Sequence, residues 1–372
     1  MSTCIAGARE ESGAPAMRRS RVSPDHLPVK APQSLKRHLL HGLYGVLQYG
    51  GLSTLHVWAR RVRGAVILMY HSVATPAVAD WIDPRNHTPE DVFERQSAFL
   101  ARHRNVLSMT ELVNALQKGR SLPAGSVVIT FDDGYLDHLT VAAPILARYG
   151  LPATVYLPTG YIERGSSQWI DRLYAAFRTR TSDRLAIETI TQTYDLRELS
   201  QRVMAYRDVA ALLMRANEPV REGLLSDVVQ QLAPVIPPPR LAMTWADVHA
   251  LQRVCPLVAI GAHTRMHLDM SAQTEASARE EVEGCVTDLE RELGKRPAHF
   301  AFPYNRSTDC TSWLMEACGF RSAVTSGPAC MIRADANPFA LPRIAAPRSM
   351  TLLRFVTSGA YPDLPQALVG RC

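Results

Sequence analysis

Apolar and polar positions along this chain alternate between two rhythms. Short runs dominated by aliphatic and β-branched residues, Ala65–Tyr70, Val127–Phe131, Ala153–Leu157, Val258–Ile260, Phe300–Phe302, Ser322–Thr325 and Leu341–Ile344, read as strands. Runs that apolar must be covered on both faces, as in a parallel sheet flanked by helices. Between them lie stretches with helical spacing. Thr88-Pro89-Glu90-Asp91 opens one that runs to about Arg104, with Thr88 as capping hydroxyl and Pro89 at the first position. Ser108 with Glu111 forms a capping box for a helix to about Lys118. Leu139–Tyr149 ends on Gly150, a charged helix spans about Ser271–Leu293, Thr311–Cys318 stops at Gly319, and Leu352–Val356 begins a last helix. Repeated strand–helix–strand units give parallel strands, and seven or so of them form an incomplete or distorted β/α barrel.

The rhythm breaks in two places. Residues 165–240 carry helical patterns (Trp169-Ile170-Asp171 onward, then Leu199–Leu213 and Val220–Leu232) and close on Pro237-Pro238-Pro239, which predicts a mainly helical insertion. At the amino terminus, residues 1–33 lack periodicity and read as a disordered tail, followed by an amphipathic helical extension at 34–63. The barrel domain is then 64–372, with the insertion inside it. Leu39–Trp58, flanked by Lys36-Arg37 and Arg60-Arg61, is too polar to span a bilayer. It fits either a helix lying in a membrane interface or one packed on the main domain. No secretory signal pattern opens the chain, so a cytoplasmic protein, peripheral to the inner membrane if the basic helix binds lipid, is expected.

Composition adds little. Charged residues make up 20% and the net charge is +6, with many arginines early in the chain; no helix-turn-helix or finger pattern points to nucleic acid. Seven cysteines without a CxxC pair suggest neither a disulfide framework nor a thiolate zinc site.

The chemistry lies at strand ends. Val127–Phe131 stops on Asp132-Asp133-Gly134, and Val258–Ile260 leads into Gly261-Ala262-His263-Thr264-Arg265-Met266-His267. Carboxyl ends of parallel strands are where binding and catalytic groups collect. Histidines four apart in one helical turn can reach one ion. Two histidines and one carboxylate leave open positions on Zn²⁺ or a similar divalent metal, and a second carboxylate beside the ligand can deprotonate a water.

These residues resemble a known family. Thr130-Phe131-Asp132-Asp133-Gly134 followed by His263-Thr264-Arg265-Met266-His267 is similar to the TFDDG and H-[ST]-x-x-H motifs of the polysaccharide deacetylases, carbohydrate esterase family 4 with its NodB-homology domain. Phe300-Ala301-Phe302-Pro303-Tyr304 resembles the third motif, and Leu341-Pro342-Arg343-Ile344 a late one. The resemblance implies a distorted (β/α)7 barrel and removal of N-acetyl groups from amino sugars. It also implies metal ligation by Asp133, His263 and His267, with Zn²⁺ first and Co²⁺ or Ni²⁺ also suited. Asp132 would be the base, and the Tyr304 backbone N–H would donate to the oxyanion. Thr264 would support the histidine loop and, with Pro303, border the substrate. Tyr135 and Trp169 are candidates to stack on sugar, with core packing as the alternative.

Two departures stand out. Position 301 is alanine where the family often has the arginine that orients the base; Arg343 is the candidate substitute, or else forms a barrel-end salt bridge. No histidine follows His299 to act as the acid. Leu68-Met69-Tyr70-His71-Ser72 resembles the amino-terminal motif of the branch acting on poly-N-acetylglucosamine, which assigns the acid to His71 unless that histidine only packs. The expected substrate is therefore a carbohydrate or glycolipid. A catalytically silent carbohydrate-binding relative is the alternative, and a Mg²⁺ phosphatase-like site is disfavoured by the histidines.

Overall fold

The computed structural model describes residues 63–325 and 331–359, so the tail at 1–33 and nearly all of the extension at 34–63 lie outside the described residues. Among the described residues ten strands run in chain order: β1 (Ala65–Tyr70), β2 (Asn105–Val106), β3 (Ser126–Phe131), β4 (Ala153–Leu157), β5 (Arg184–Ile187), β6 (Gln192–Asp195), β7 (Val258–Ala262), β8 (His299–Ala301), β9 (Ser322–Thr325) and β10 (Leu341–Ala345). The main sheet is parallel throughout, in the order β1-β10-β9-β8-β7-β4-β3, and β1 also pairs with β3. That last pairing closes seven strands into the expected distorted (β/α)7 barrel; β2 is a short addition on β3. The distortion is local. β1 pairs with β3 along six residues, whereas β7 meets β8 only at Ala262 and Phe300.

Strand alternation sorts the core into two shells. Val66, Leu68, Tyr70, Val127, Ile129 and Phe131 face outward and pack under the surrounding helices. Ile67, Val128, Tyr156, Ala301, Val324 and Leu341 join the cluster containing Met109, Leu112 and Val113 of the helix Met109–Gln117. That helix has the expected capping box at Ser108 and Glu111. It reaches the amino ends of β8 and β9 through Thr110 on His299 and Asn114 on Arg321, so it closes the bottom of the barrel.

Elsewhere the boundaries shift. The helix Glu90–His103 has Pro89 as its cap residue with no side-chain cap, because Thr88 is buried and its N–H donates to Ser72. Gly150 and Gly319 both adopt positive φ just beyond their helices. The insertion contains helices Trp169–Thr179, Leu199–Arg215 and Glu218–Leu232, as expected, plus the antiparallel hairpin β5–β6, which the sequence reading missed. These pieces share a core of their own, including Phe177, Leu185, Tyr194, Leu213 and Leu225. Cys255, Cys285 and Cys318 are free and buried. Among the described residues no helix is long and apolar enough to cross a membrane.

Candidate active site

Sheet register brings the chemistry to one level. Tyr70 pairs with Phe131, Leu157 with Ala262, and Ala262 with Phe300. The residues just beyond, His71, Asp132 and His263, therefore leave the barrel at the same carboxyl end, and Asp133, His267 and Tyr304 follow in the adjoining turns.

Asp132 and Asp133 are neighbours in different fields. The chain turns left-handed at Asp133 (φ 75) and Gly134 (φ 67), which parts the two side chains. Asp132 turns to β10, where Arg343 donates to both of its oxygens at 2.7 Å. Arg343 is itself buried, so it makes no surface barrel-end bridge, and it also donates to Asn305 at 2.9 Å. Burial pushes the Asp132 carboxyl up, but Arg343, helped by His263 and His71, outweighs it and holds the group below its ordinary value.

Asp133 faces the histidines. Its Oδ1 lies 3.2 Å from His267 Nε2 and 3.5 Å from His263 Nε2, and its Oδ2 lies 3.9 Å from His71 Nε2. Burial opposes ionisation here too, yet His267 leads the groups that hold Asp133 well below the usual range. His263 Nδ1 donates to the Ala301 carbonyl at 2.7 Å, which leaves Nε2 as a lone-pair nitrogen. Asp133 Oδ1 is buried without a hydrogen-bond donor despite those short approaches. One ligand atom from each of Asp133, His263 and His267 falls within 4.8 Å of the others. A buried carboxylate oxygen set beside two imidazole nitrogens, one of them turned toward it by the Ala301 carbonyl, fits a divalent cation.

The loops around this point are strained and tightly held. Of the non-glycine residues with positive φ among those described, Asp133, Thr264, His267, Tyr304 and Asn305 all belong here. Such conformations cost on the order of 1 kcal/mol each and persist only where neighbours enforce them. Thr159 N–H and Gly160 N–H donate to the Thr264 and Arg265 carbonyls, while the Glu281 carboxylate accepts from the Arg265 and Met266 N–H groups. Arg221, from the insertion, donates to the Met266 and His267 carbonyls.

The four residues expected at the substrate, Tyr135, Trp169, Thr264 and Pro303, are all buried. Tyr135 and Trp169 are each only 3% exposed; Tyr135 donates to Asp171 and Trp169 Nε1 to the Tyr304 hydroxyl. Neither ring offers a face to a sugar. Thr264 is fully buried within the histidine loop, and Pro303 is buried at the start of the Tyr304 turn. His71 is the partly open one, with its side chain 21% exposed and its carbonyl accepting from His138 Nε2 at 2.9 Å. Burial pushes His138 down to about 4, so it is a neutral donor at neutral pH.

Comparison with known proteins agrees with this geometry. The sequence pattern of the polysaccharide deacetylase family matches residues 119–210 and 242–323. The chain carries a polysaccharide deacetylase domain. YxkH of Bacillus subtilis (strain 168), whose name places it among the polysaccharide deacetylases, is 33% identical over 94 residues, 24% of this chain. That match spans only 30% of YxkH. Among solved structures, Streptococcus pyogenes deacetylase PplD in complex with acetate superimposes with a TM-score of 0.53 at 19% identity, over 79% of this chain and 98% of its own. IcaB from Ammonifex degensii gives 0.52 at 18%, over 80% and 97%. At these identities both establish the fold of the deacetylase domain. The family match breaks off between residues 210 and 242, and so omits Arg221.

Proposed function

We propose that this chain is a metal-dependent hydrolase that removes N-acetyl groups from an N-acetylated amino sugar in a glycan, glycolipid or sugar-linked precursor. The observation that carries the reading is the division between the adjacent carboxylates: Asp132 held by Arg343, and Asp133 beside two histidines with an oxygen that has no donor.

Asp133, His263 and His267 would hold the ion, which would supply Lewis acidity to the acetamide carbonyl and to a water. Asp132, kept ionised and aimed by Arg343, accepts the proton of the attacking water. The Tyr304 N–H, in the first turn of a one-turn helix and so without an intrahelical acceptor, is the backbone donor for the oxyanion. His71 delivers the proton to the amine nitrogen as the C–N bond breaks, giving acetate and a free amine. Its partial exposure and its approach to Asp133 support that role. The basic segment Lys36-Arg37 to Arg60-Arg61 supports a cytoplasmic location at the inner membrane face, where a lipid-linked sugar would be met.

The test is acetate release from a panel of N-acetylated glycans and glycolipids by wild type, Asp132→Asn and His71→Ala, with bound metal measured on each. Release by the wild type, and its loss in both variants with metal retained, is the expected result. Metal without release from any substrate would favour a carbohydrate-binding role instead. Absence of metal would sink the reading.

A further inference from the structure

Arg221 is among the largest fully buried residues of those described, and it sits in the insertion helix Glu218–Leu232, outside the family match. Burying a guanidinium costs several kcal/mol unless it is well satisfied. Its partners explain where that cost goes. One terminal nitrogen donates to the Met266 carbonyl at 2.7 Å and the other to the His267 carbonyl at 3.4 Å. The Tyr304 hydroxyl, which receives Trp169 Nε1 from the insertion, approaches the same His267 carbonyl at 3.4 Å. On the opposite edge of this segment, the Glu281 carboxylate takes the N–H groups of Arg265 and Met266 at 3.1 and 2.8 Å. The peptide units leading into His267 are thus gripped by an anion on their donors and a cation on their acceptors.

That grip acts where the backbone needs it. Thr264 and His267 both hold positive φ, a conformation uncommon for any non-glycine residue and most unfavourable for β-branched Thr264. The strand before them does not impose it, because β7 ends at Ala262, short of both residues. Without external bonds, the loop would relax toward ordinary φ and swing the His267 ring away from Asp133.

We infer that Arg221 is a positioning residue for metal binding: the insertion, through its guanidinium on the Met266 and His267 carbonyls, holds the His267 imidazole where the ion is bound. The inference rests on the proposed metal site. It makes the insertion a structural part of that site. Groups that orient metal ligands typically change affinity 10–100-fold when removed.

The experiment is chelator competition for Zn²⁺ on the full chain, comparing wild type, Arg221→Met, Arg221→Lys and Tyr194→Phe. Tyr194, bonded to Asp208 inside the insertion core, serves as the control for a merely loosened insertion. Thermal unfolding of each metal-free protein runs alongside. The expected result is at least a tenfold weaker Kd in Arg221→Met, partial recovery in Arg221→Lys, which keeps a charge and one donor, and a wild-type Kd in Tyr194→Phe. Should Arg221→Met not fold, Arg221→Lys still decides, by a Kd several-fold weaker than wild type. Wild-type Kd in the Arg221 variants overturns this inference and leaves the metal reading intact. A tenfold loss in Tyr194→Phe as well would also overturn it, by showing a general effect of loosening. A wild-type protein that binds no Zn²⁺ removes the metal reading and this inference with it.

Discussion

Breaking the Asp132–Arg343 pair has a calculable consequence. The Arg343 side chain is 0% exposed and that of Asp132 3%, and two contacts of 2.7 Å join them. Opposite charges about 4 Å apart attract by about 4 kcal/mol at an effective dielectric near 20. Arg343→Met removes every donor and leaves a buried carboxylate, a change that costs about 3–5 kcal/mol. Asp132→Asn removes the charge but keeps a carbonyl that Arg343 can still use, alongside its bond to Asn305, so its cost is about 1–3 kcal/mol. With both changes no buried charge is stranded, and the double variant is expected to be more stable than the sum of the singles by roughly 2–3 kcal/mol. Urea unfolding of the four metal-free proteins at pH 7 measures this coupling. Costs that add to within about 0.5 kcal/mol would refute the argument, since independent sites behave that way. If acetate release is established, Arg343→Met should lose kcat more than KM while keeping its metal, because Asp133 and both histidines are untouched.

Two other perturbations follow from the same structure. Burial lifts the Asp137 carboxyl from 3.8 to about 6 despite its bonds from Ser72 Oγ and the Val73 N–H. A folded-state value above the unfolded one means the native state holds the extra proton, so this group lowers stability as pH rises from about 4 to 6, by roughly 3 kcal/mol in full. Asp137→Asn should remove that slope, and urea midpoints at pH 4.5 and 7 that fall equally in both proteins would count against it. Gly160→Ala puts a Cβ 2.4 Å from Met266 Sδ and 2.9 Å from the Arg265 carbonyl oxygen. Displacing the histidine loop in this way should cost about 1–3 kcal/mol and reduce the rise in Tm on adding Zn²⁺; an undiminished rise would break the link between that contact and the metal loop.

The strands and the candidate site residues were legible for physical reasons that apply to few other features. A run such as Val127–Phe131 has no amphipathic alternative, and Asp-Asp-Gly at its end has nowhere to go but the barrel rim. The His263–His267 spacing suggests a helical turn, but the segment is an irregular loop with positive φ at Thr264 and His267, so the spacing names the residues without the backbone that joins them. The contacts that hold those residues are not legible in this way. Arg221 meets His267 across 46 positions, from a helix whose pattern marks only its own core. Glu281 is one acid among several on the helix Glu275–Leu293, and nothing in its spacing sets it apart. The hairpin β5–β6 escaped because four-residue strands are too short to beat the helical patterns around them. Tyr135 and Trp169 show the limit of residue type: an aromatic ring suits a sugar face and a buried core equally, and here their hydroxyl and indole groups found internal partners.

The site also explains why its support comes from so many directions. A barrel strand fixes the direction of side chains within it, but control fades one residue beyond its last pairing. The proposed catalytic and metal-binding groups lie past that point, except Arg343, whose register partner on β1 is Ile67. Each outlying group is recovered by a different device. Asp132 is caught by Arg343 from across the barrel, and His263 by the Ala301 carbonyl of the next strand. The Tyr304 turn is held by the Thr325 hydroxyl on the Asn305 carbonyl, by Arg343 on the Asn305 side chain, and by Trp169 on the phenol. His267 stands farthest from its strand, and it draws on the insertion. Each of these groups is therefore fixed from outside its own strand, and His267 from outside the barrel altogether. On that logic the insertion cannot be treated as a separable lid over a finished site, because the last metal-facing loop is completed only when Arg221 is in place.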